Sequence, residues 1–397
     1  MIYFDNAATT RIDAEVLEAM IPFMESYYGN SSSKYGDFSK YARESVEWAR
    51  EQVAFLLGTT VESIVFTTGA TEATNLIIKG YLDYRMHYGD GKNHVITTKA
   101  DHKASINVCK FLSGEIYSNH DAYMSLSKDL VKVDRGYCAS FADVDETGSV
   151  LIKSIKNEIN NRTALVSTIW VNNEVGSINN VKEIGMLCRA NNVAFHIDAT
   201  QALGKIDIVV SEIGCDFLSC SAHKIHGPKG IGAAVLKSDE YGIQPISALL
   251  HGGEQENGFR AGTLAVHNIV GFGKAAEIAM RDREKDRKHI KILDEYLVSE
   301  ICKIPTIRLT NPSALRVPGI VSIIVDSPDF NNERFIMKVS DKVALSTGSA
   351  CTAGKPSHVL QAMGMGEMTN KVLRLSLSKY STKEEVDELV SLFKNLL

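Results

Sequence analysis

Apolar and polar positions along this chain fall into short buried runs separated by longer amphipathic stretches. Ala42, Val46, Ala49, Val53 and Leu56 recur at three- and four-residue spacings. That is the period of one helix face, so the segment around 38–57 is predicted as an amphipathic helix closed by Gly58. Ser63–Thr68 reads as a strand, and Gly69–Lys79 begins the helix after it. Strand-sized apolar runs follow at His94–Thr98, Ala164–Val171, Val193–Ile197, Phe217–Cys220 and Ala233–Leu236. Polar residues or glycine bound most of them, as expected of strands whose two faces are covered by helices. The alternation predicts an α/β architecture with a mainly parallel sheet. A long helical pattern from Leu264 to about Ile301 gives way to a shorter strand–helix assembly that includes Ile320–Val325 and Val372–Leu377. That shift predicts a second, smaller α+β domain. The polar, weakly periodic region 114–145 reads as a surface excursion.

Composition narrows the class without naming a function. The 397 residues are 44% hydrophobic and 23% charged, with a net charge of −5. This is the balance of a globular protein with a large core, and it argues against a strongly basic nucleic-acid binder. No run approaches the ~18 apolar residues that span a bilayer. The N-terminal MIYFDNAATT lacks a basic region followed by an apolar run, so no secretory signal is expected. Seven cysteines, an odd number, contain no C-x-x-C pair. Neither a disulfide framework nor a zinc site is expected, and His223 and His226 alone make a poor metal site. Reduced thiols and a cytoplasmic location follow as expectations.

In an open parallel sheet, ligands gather beyond the carboxyl ends of the strands. Those ends here are followed by Gly69-Ala70-Thr71-Glu72, Ala100-Asp101-His102-Lys103, Asn172-Asn173-Glu174, Asp198-Ala199-Thr200-Gln201 and Ser221-Ala222-His223-Lys224. Gly69-Ala70-Thr71 at a strand-to-helix junction offers backbone N–H groups and a helix dipole suited to a phosphate, or simply an ordinary helix start. No G-x-x-x-x-G-K-[ST] loop occurs, and Gly227–Gly232 reads as a turn. Asp198 could hold a protonated ring nitrogen or cap a helix. Lys224 could be a solvated amine or a partly desolvated one that condenses with carbonyl compounds. A phosphate cradle, a carboxylate for a pyridinium and a lysine for an aldehyde are together the requirements of pyridoxal phosphate.

The runs FTTGATEATN, VNNEVG, HIDATQALGKIDI, FLSCSAHKIHGPKGIGA, FRAGT and ALSTGSACTAGKPSHVL resemble the pyridoxal-phosphate-dependent cysteine desulfurases of the NifS/IscS kind. These form part of the class V branch of the fold type I aminotransferases. The similarity runs from YFDNAATT to VLRLSLSKYSTKEEVDEL. It implies the fold type I transferase architecture, with a seven-stranded-type sheet in a large cofactor-binding domain over 12–262. A small domain over 1–11 and 263–397 would carry the catalytic cysteine loop. By the same resemblance, Lys224 bonds the cofactor aldehyde and moves the Cα proton, Asp198 pairs with the pyridine nitrogen, and Gln201 bonds the phenolic oxygen. His102 stacks on the ring and assists proton transfer. Thr71, Ser221 and His223 bind the phosphate, helped by Thr263 from the other subunit of a homodimer with a shared site, and Ala70 and Asn173 are further cofactor-binding residues. Arg374 clamps the substrate carboxylate, with Asn173 and Asn30 nearby.

Cys351 lies in the small-residue run Leu345–Gly354, whose composition favours exposure and motion. The resemblance makes it the nucleophile that takes sulfur from L-cysteine as a persulfide, leaves L-alanine, and passes the sulfur to an acceptor protein. Acceptors in iron–sulfur cluster biogenesis, tRNA thiolation and DNA phosphorothioation all fit such an enzyme. Alternatives are a selenocysteine lyase, another class V enzyme such as an aminotransferase, and a catalytically silent scaffold that docks sulfur-transfer partners. The chain departs from the family in a longer segment between His102 and Asp198, a shorter stretch from Cys351 to Pro356, and Gly29-Asn30-Ser31 where an Asn-Pro is usual.

Overall fold

A computed structural model describes residues 1–115, 133–348 and 356–397. Its strands are β1 (Ile2–Tyr3), β2 (Ile64–Thr67), β3 (His94–Thr98), β4 (Cys138–Ala142), β5 (Thr163–Ile169), β6 (Ala194–Asp198), β7 (Phe217–Ser221), β8 (Gly232–Leu236), β9 (Ile307–Leu309), β10 (Ile320–Val325), β11 (Val343–Ala344) and β12 (Val372–Ser376). Seven of them form one sheet in the order β2-β8-β7-β6-β5-β3-β4. Neighbours from β4 to β7 run parallel, and β8 alone is reversed, pairing antiparallel with both β7 and β2. The central strands are buried along their length because helices cover both faces, and this is why they read as unbroken apolar runs.

Helix Asp37–Leu57 turns Ala42, Val46, Ala49 and Val53 into the core and ends at Gly58, whose φ of 58° needs no Cβ. Helix Ala70–His87 packs Leu76, Ile77 and Tyr81 on the opposite face, against Phe217 and Leu236. The long pattern from 264 is two helices, Val266–Arg281 and Arg283–Ile301. Asp282, at φ −100° and ψ 3°, breaks a periodicity that otherwise runs straight through. The first of the two, assigned above to the smaller part, buries Ile269, Phe272 and Ala276 in the same core as Val46 and Val53. By its packing it belongs with the large sheet.

The second sheet, β12-β10-β9, is antiparallel and carries its own core of Leu297, Val321, Leu375, Val386 and Phe393. The N-terminus stitches the two bodies together. β1 pairs with β11, and Asp5 bridges to Ser376 in β12. Asn6 Nδ2 donates to the Ser376 carbonyl at 2.9 Å, and the Ala7 N–H donates to Ser376 Oγ at 2.8 Å.

The surface excursion read at 114–145 needs correction in its last part. Residues 138–142 form edge strand β4, parallel to β3 in full register. CASFA is small, half-exposed and only weakly apolar, so its pattern carries little strand signal. Residues 116–132 of that region lie outside the described residues. Among the described residues, no helix is long and apolar enough to cross a membrane.

Candidate active site

A cavity of about 470 Å³ opens at the carboxyl ends of β2, β3, β5, β6 and β7, where the strand-end reading placed it. One side is built from backbone. Gly69, at φ 154° and ψ 176°, occupies a conformation suited to glycine, and the 18-residue helix Ala70–His87 starts there. A Cβ on Gly69 would meet only Ser221 Oγ, at 3.8 Å. Gly232 must itself be glycine, since a Cβ there would lie 2.7 Å from the Gly69 Cα. The helix start, Thr71, Ser221, His223 and Lys229 share this side of the cavity. Burial, reinforced by the charges of Lys224, Lys229 and Lys205, holds His223 near a pKa of about 4. Its Nδ1 lies 3.1 Å from Thr9 Oγ1.

Lys224 follows β7 in a short 3-10 turn, and its Nζ donates to the carbonyls of Ala7 and Ala8, both at 2.6 Å. The N-terminal segment thus holds the amine over the cavity. Asp198 ends β6, in register with Ile169 and Ser219, and its Oδ1 accepts from the Thr200 N–H at 3.0 Å. Gln201 is buried, its Nε2 donating to the Ala7 carbonyl at 2.8 Å and its Oε1 accepting from Lys205 Nζ at 3.1 Å. Desolvation brings Lys205 down to about 7, and the neighbouring Lys224 charge adds to the effect. His102 caps helix Lys103–Leu112, with Nδ1 accepting from the Ala104 N–H at 3.1 Å. A neutral ring therefore carries its proton on Nε2. Burial pushes its pKa down, opposed by the Asp198 carboxylate.

The opposite side belongs to the smaller body. Arg374, 1% exposed, comes from the middle of β12. One Nη donates to the Asn173 and Gly348 carbonyls at 2.7 and 3.2 Å, and the other to Asp5 Oδ1 at 2.7 Å. Its buried Nε has no partner among the described residues. An enclosed guanidinium with a donor to spare at a cavity wall suits a carboxylate.

Lys224, Asp198, Gln201, His102, Ala70, Thr71, Ser221, His223, Asn173 and Arg374 therefore share one cavity. Two expected residues do not line it. Asn30 is exposed in an Asx turn, its Oδ1 accepting from Ser32 N–H at 3.0 Å, and Thr263 is exposed after Gly262. Cys351 lies outside the described residues. The described residues on its two sides meet at Glu174. Ser357 Oγ donates to Glu174 Oε2 at 2.6 Å, and a Cβ on Gly348 would lie 3.3 Å from that oxygen.

Sequence reasoning missed the Ala7 and Ala8 carbonyls, Glu72, Glu174, Thr200, Lys229 and His358, all in the cavity wall. Thr200, Glu174 and Glu72 stood within the strand-end runs and could have been found there. The carbonyls leave no side-chain signal. Among the described residues, no group of three His, Cys, Asp or Glu is arranged for a metal.

The donor set fits pyridoxal phosphate on three observations of this structure. The Gly69 backbone has open space beside it at a helix N-terminus, a strand-end carboxylate and a lysine amine face the same cavity, and the buried Thr200 Oγ1 lacks a partner.

The sequence profile of the family "Aminotransferase class-V" matches residues 2–389. A protein of Rickettsia akari named "Cysteine desulfurase IscS" is 38% identical over 98% of this chain and 90% of its own length. A solved structure titled "NIFS-LIKE PROTEIN" superposes with a TM-score of 0.85 at 33% identity, covering all of this chain and 98% of its own. Another, "SspA in complex with cysteine", does so with a TM-score of 0.79 at 30% identity, covering 96% of this chain and all of its own.

Proposed function

The chain belongs to the class-V aminotransferase family, and from that membership we propose the reaction its cavity performs: the desulfuration of L-cysteine. It is a cysteine desulfurase with pyridoxal 5′-phosphate as cofactor. The observation that carries the reading is the convergence of the Lys224 amine, the Asp198 carboxylate and the Gly69 helix start with the buried Arg374 guanidinium around one cavity.

Each residue's role follows from its chemistry. The Ala70 and Thr71 backbone, Ser221 and His223 hold the phosphate. Asp198 would hold the ring nitrogen through a charge-assisted bond, and Gln201 the phenolic oxygen. The cofactor, once bound, supplies an aldehyde for amines and a ring that accepts the electrons freed at Cα. Lys224 Nζ would take the Cα proton, and His102 Nε2, which lines the cavity, would give and recover a proton there. Arg374 Nε, with Asn173 beside it, orients the substrate carboxylate; Asn30, outside the cavity wall, has no part in this step. The Cys351 thiolate attacks the substrate sulfur. An S–S bond forms as the C–S bond breaks, its electron pair stays on carbon, and protonation yields alanine. Buried thiols could not do this. Burial pushes Cys188, Cys215 and Cys220 to about 12 and Cys109 higher still.

The working unit is a homodimer in which Thr263 completes the phosphate site of the other subunit. Exposed Tyr27, Tyr28, Tyr35, Phe38 and Tyr41 give the chain an aromatic surface suited to such a contact. The large body over 12–262, joined by helix Val266–Arg281 that packs on it, binds the cofactor. The small body over 1–11 and the rest of 263–397 carries the thiol. Unpaired cysteines at six described positions agree with a cytoplasmic enzyme that hands sulfur to an acceptor protein.

The test is product analysis of the holoenzyme with L-cysteine. Alanine forms together with protein-bound persulfide, and Cys351→Ala keeps the cofactor absorbance but loses both products. Pyruvate with a pyridoxamine form of the cofactor, or unchanged desulfuration by Cys351→Ala, would overturn the reading.

A further inference from the structure

His358 stands in the cavity wall without a role in the scheme above. It opens helix His358–Ala362, whose N-cap Ser357 accepts from the Leu360 N–H through Oγ and donates to Glu174 at 2.6 Å. The backbone that carries the imidazole is therefore fixed on two sides. The ring is fixed too, because Nε2 lies 2.8 Å from the Asp101 carbonyl oxygen. A carbonyl only accepts, so the proton is on Nε2, and the neutral ring leaves a lone pair on Nδ1. That Nδ1 is enclosed and has no partner among the described residues.

Its neighbour His102 is held the other way round. Its Nδ1 accepts from the Ala104 N–H, leaving Nε2–H for the cavity. Two imidazoles held in opposite polarity thus line one cavity, and the other groups there divide unevenly. Arg374, Lys224 and Lys229 are donors, while Glu174 Oε2 is already taken by Ser357. A substrate carboxylate has no proton to offer Nδ1. A thiol has one, and it is a weak donor that gains from a fixed imidazole lone pair.

We infer that His358 is a specificity-determining residue, its Nδ1 accepting a hydrogen bond from the thiol of the bound cysteine. The inference rests on the desulfurase reading and adds how the enzyme tells a thiol from a methyl group. The alternative donor for Nδ1 is the substrate ammonium, which L-2-aminobutyrate also carries while lacking the S–H.

The experiment compares kcat/KM for L-cysteine with the Kd of L-2-aminobutyrate, read from the cofactor absorbance, in wild type and two variants. In His358→Gln the amide nitrogen can still reach the Asp101 carbonyl, but the Nδ1 acceptor is gone. His358→Asn places its amide oxygen near the former Nδ1. Expected are an about tenfold loss for cysteine in His358→Gln with 2-aminobutyrate changed by less than about twofold, and recovery of most of that loss in His358→Asn. Equal weakening of both ligands in His358→Gln, or unchanged cysteine turnover, overturns the inference. If wild type itself makes no alanine from cysteine, the desulfurase reading falls instead, and the two failures remain distinct.

Discussion

The two sides of the cavity are made in different ways. On the sheet side, Gly69, His102, Asp198 and Lys224 each sit within about one turn of a strand end in a seven-stranded sheet, so topology alone brings them together. On the arginine side, Arg374 lies in mid-strand in a separate three-stranded sheet, and its partners Asp5, Asn173 and Gly348 are scattered along the chain. The first side is a property of the fold, and the second is a set of specific long-range bonds. On the proposed reading, cofactor chemistry belongs to the sheet and substrate recognition to the seam between the two sheets. A seam can be adjusted without rebuilding a core.

The sharpest way to break this comparison is to remove the sheet side's reactive group. Lys224→Ala should abolish the lysine-bound cofactor absorbance and lower kcat by about 10³-fold or more, the scale of a lost positioned acid–base group. Arg374 would remain held by Asp5 and Asn173, so urea unfolding should change little. A Lys224→Ala variant that keeps its absorbance and turns over cysteine would mean that the sheet side does not supply the amine.

The two sheets should also differ in acid. His196, wholly buried, lies between Ser167 of β5 and Ser219 of β7 at 2.8 and 3.0 Å. Burial lowers its pKa from 6.5 to about 4, with only Asp198 opposing. As pH falls below 6.5, the unfolded chain takes up a proton that the folded chain refuses until about 4. The stabilisation present above 6.5 is therefore lost across that window, by up to about 3 kcal/mol. His223 and His226, also near 4, act in the same direction. Asp101, raised to about 6 by burial, acts oppositely, since its folded form resists ionisation as pH rises. Urea midpoints at pH 7 and 4.5 should fall less for His196→Gln than for wild type. An equal fall would remove His196 from the account.

On the arginine side, Arg374→Lys tests geometry at constant charge. An ammonium cannot reproduce the planar fork that reaches Asn173, Gly348 and Asp5 while leaving Nε for a ligand. KM for cysteine should rise by roughly 10–100-fold, with the cofactor spectrum unchanged in the absence of substrate. A spectrum altered as strongly as KM would show that the two sides are not separable.

This asymmetry also set what could be read from the sequence. The sheet side was legible because each reactive residue follows directly on an apolar run, so that finding strands β2, β3, β5, β6 and β7 was nearly finding the site. β4 escaped because an edge strand of small residues has little hydrophobic contrast. The arginine side was not legible from pattern. Arg374 sits in VLRLS, which reads only as a strand with one odd charge, and its position rested on family resemblance. The carbonyls of Ala7 and Ala8 that hold Lys224, and the Glu174–Ser357 bond beside Gly348, depend on contacts between residues far apart in sequence. Backbone acceptors and helix-start residues such as His358 have no composition that sets them apart.

The smallest test asks whether the small body can be loosened without disturbing the sheet side. Thr382 and Glu385 form a reciprocal capping box at the start of helix Lys383–Leu396, which buries Val386, Leu389 and Phe393 under the three-stranded sheet. Thr382→Ala removes one acceptor for an otherwise unpaired helix N–H, costing about 1 kcal/mol in urea unfolding. Because the cap lies outside the cavity wall, the cofactor spectrum and the kcat for cysteine should stay at wild-type values. If Thr382→Ala instead raised KM as much as Arg374→Lys does, the position of Arg374 would depend on the packing of the whole small body. Its few bonds to Asp5, Asn173 and Gly348 would then not suffice to hold it, and the contrast between a side made by topology and one made by specific long-range bonds would fail.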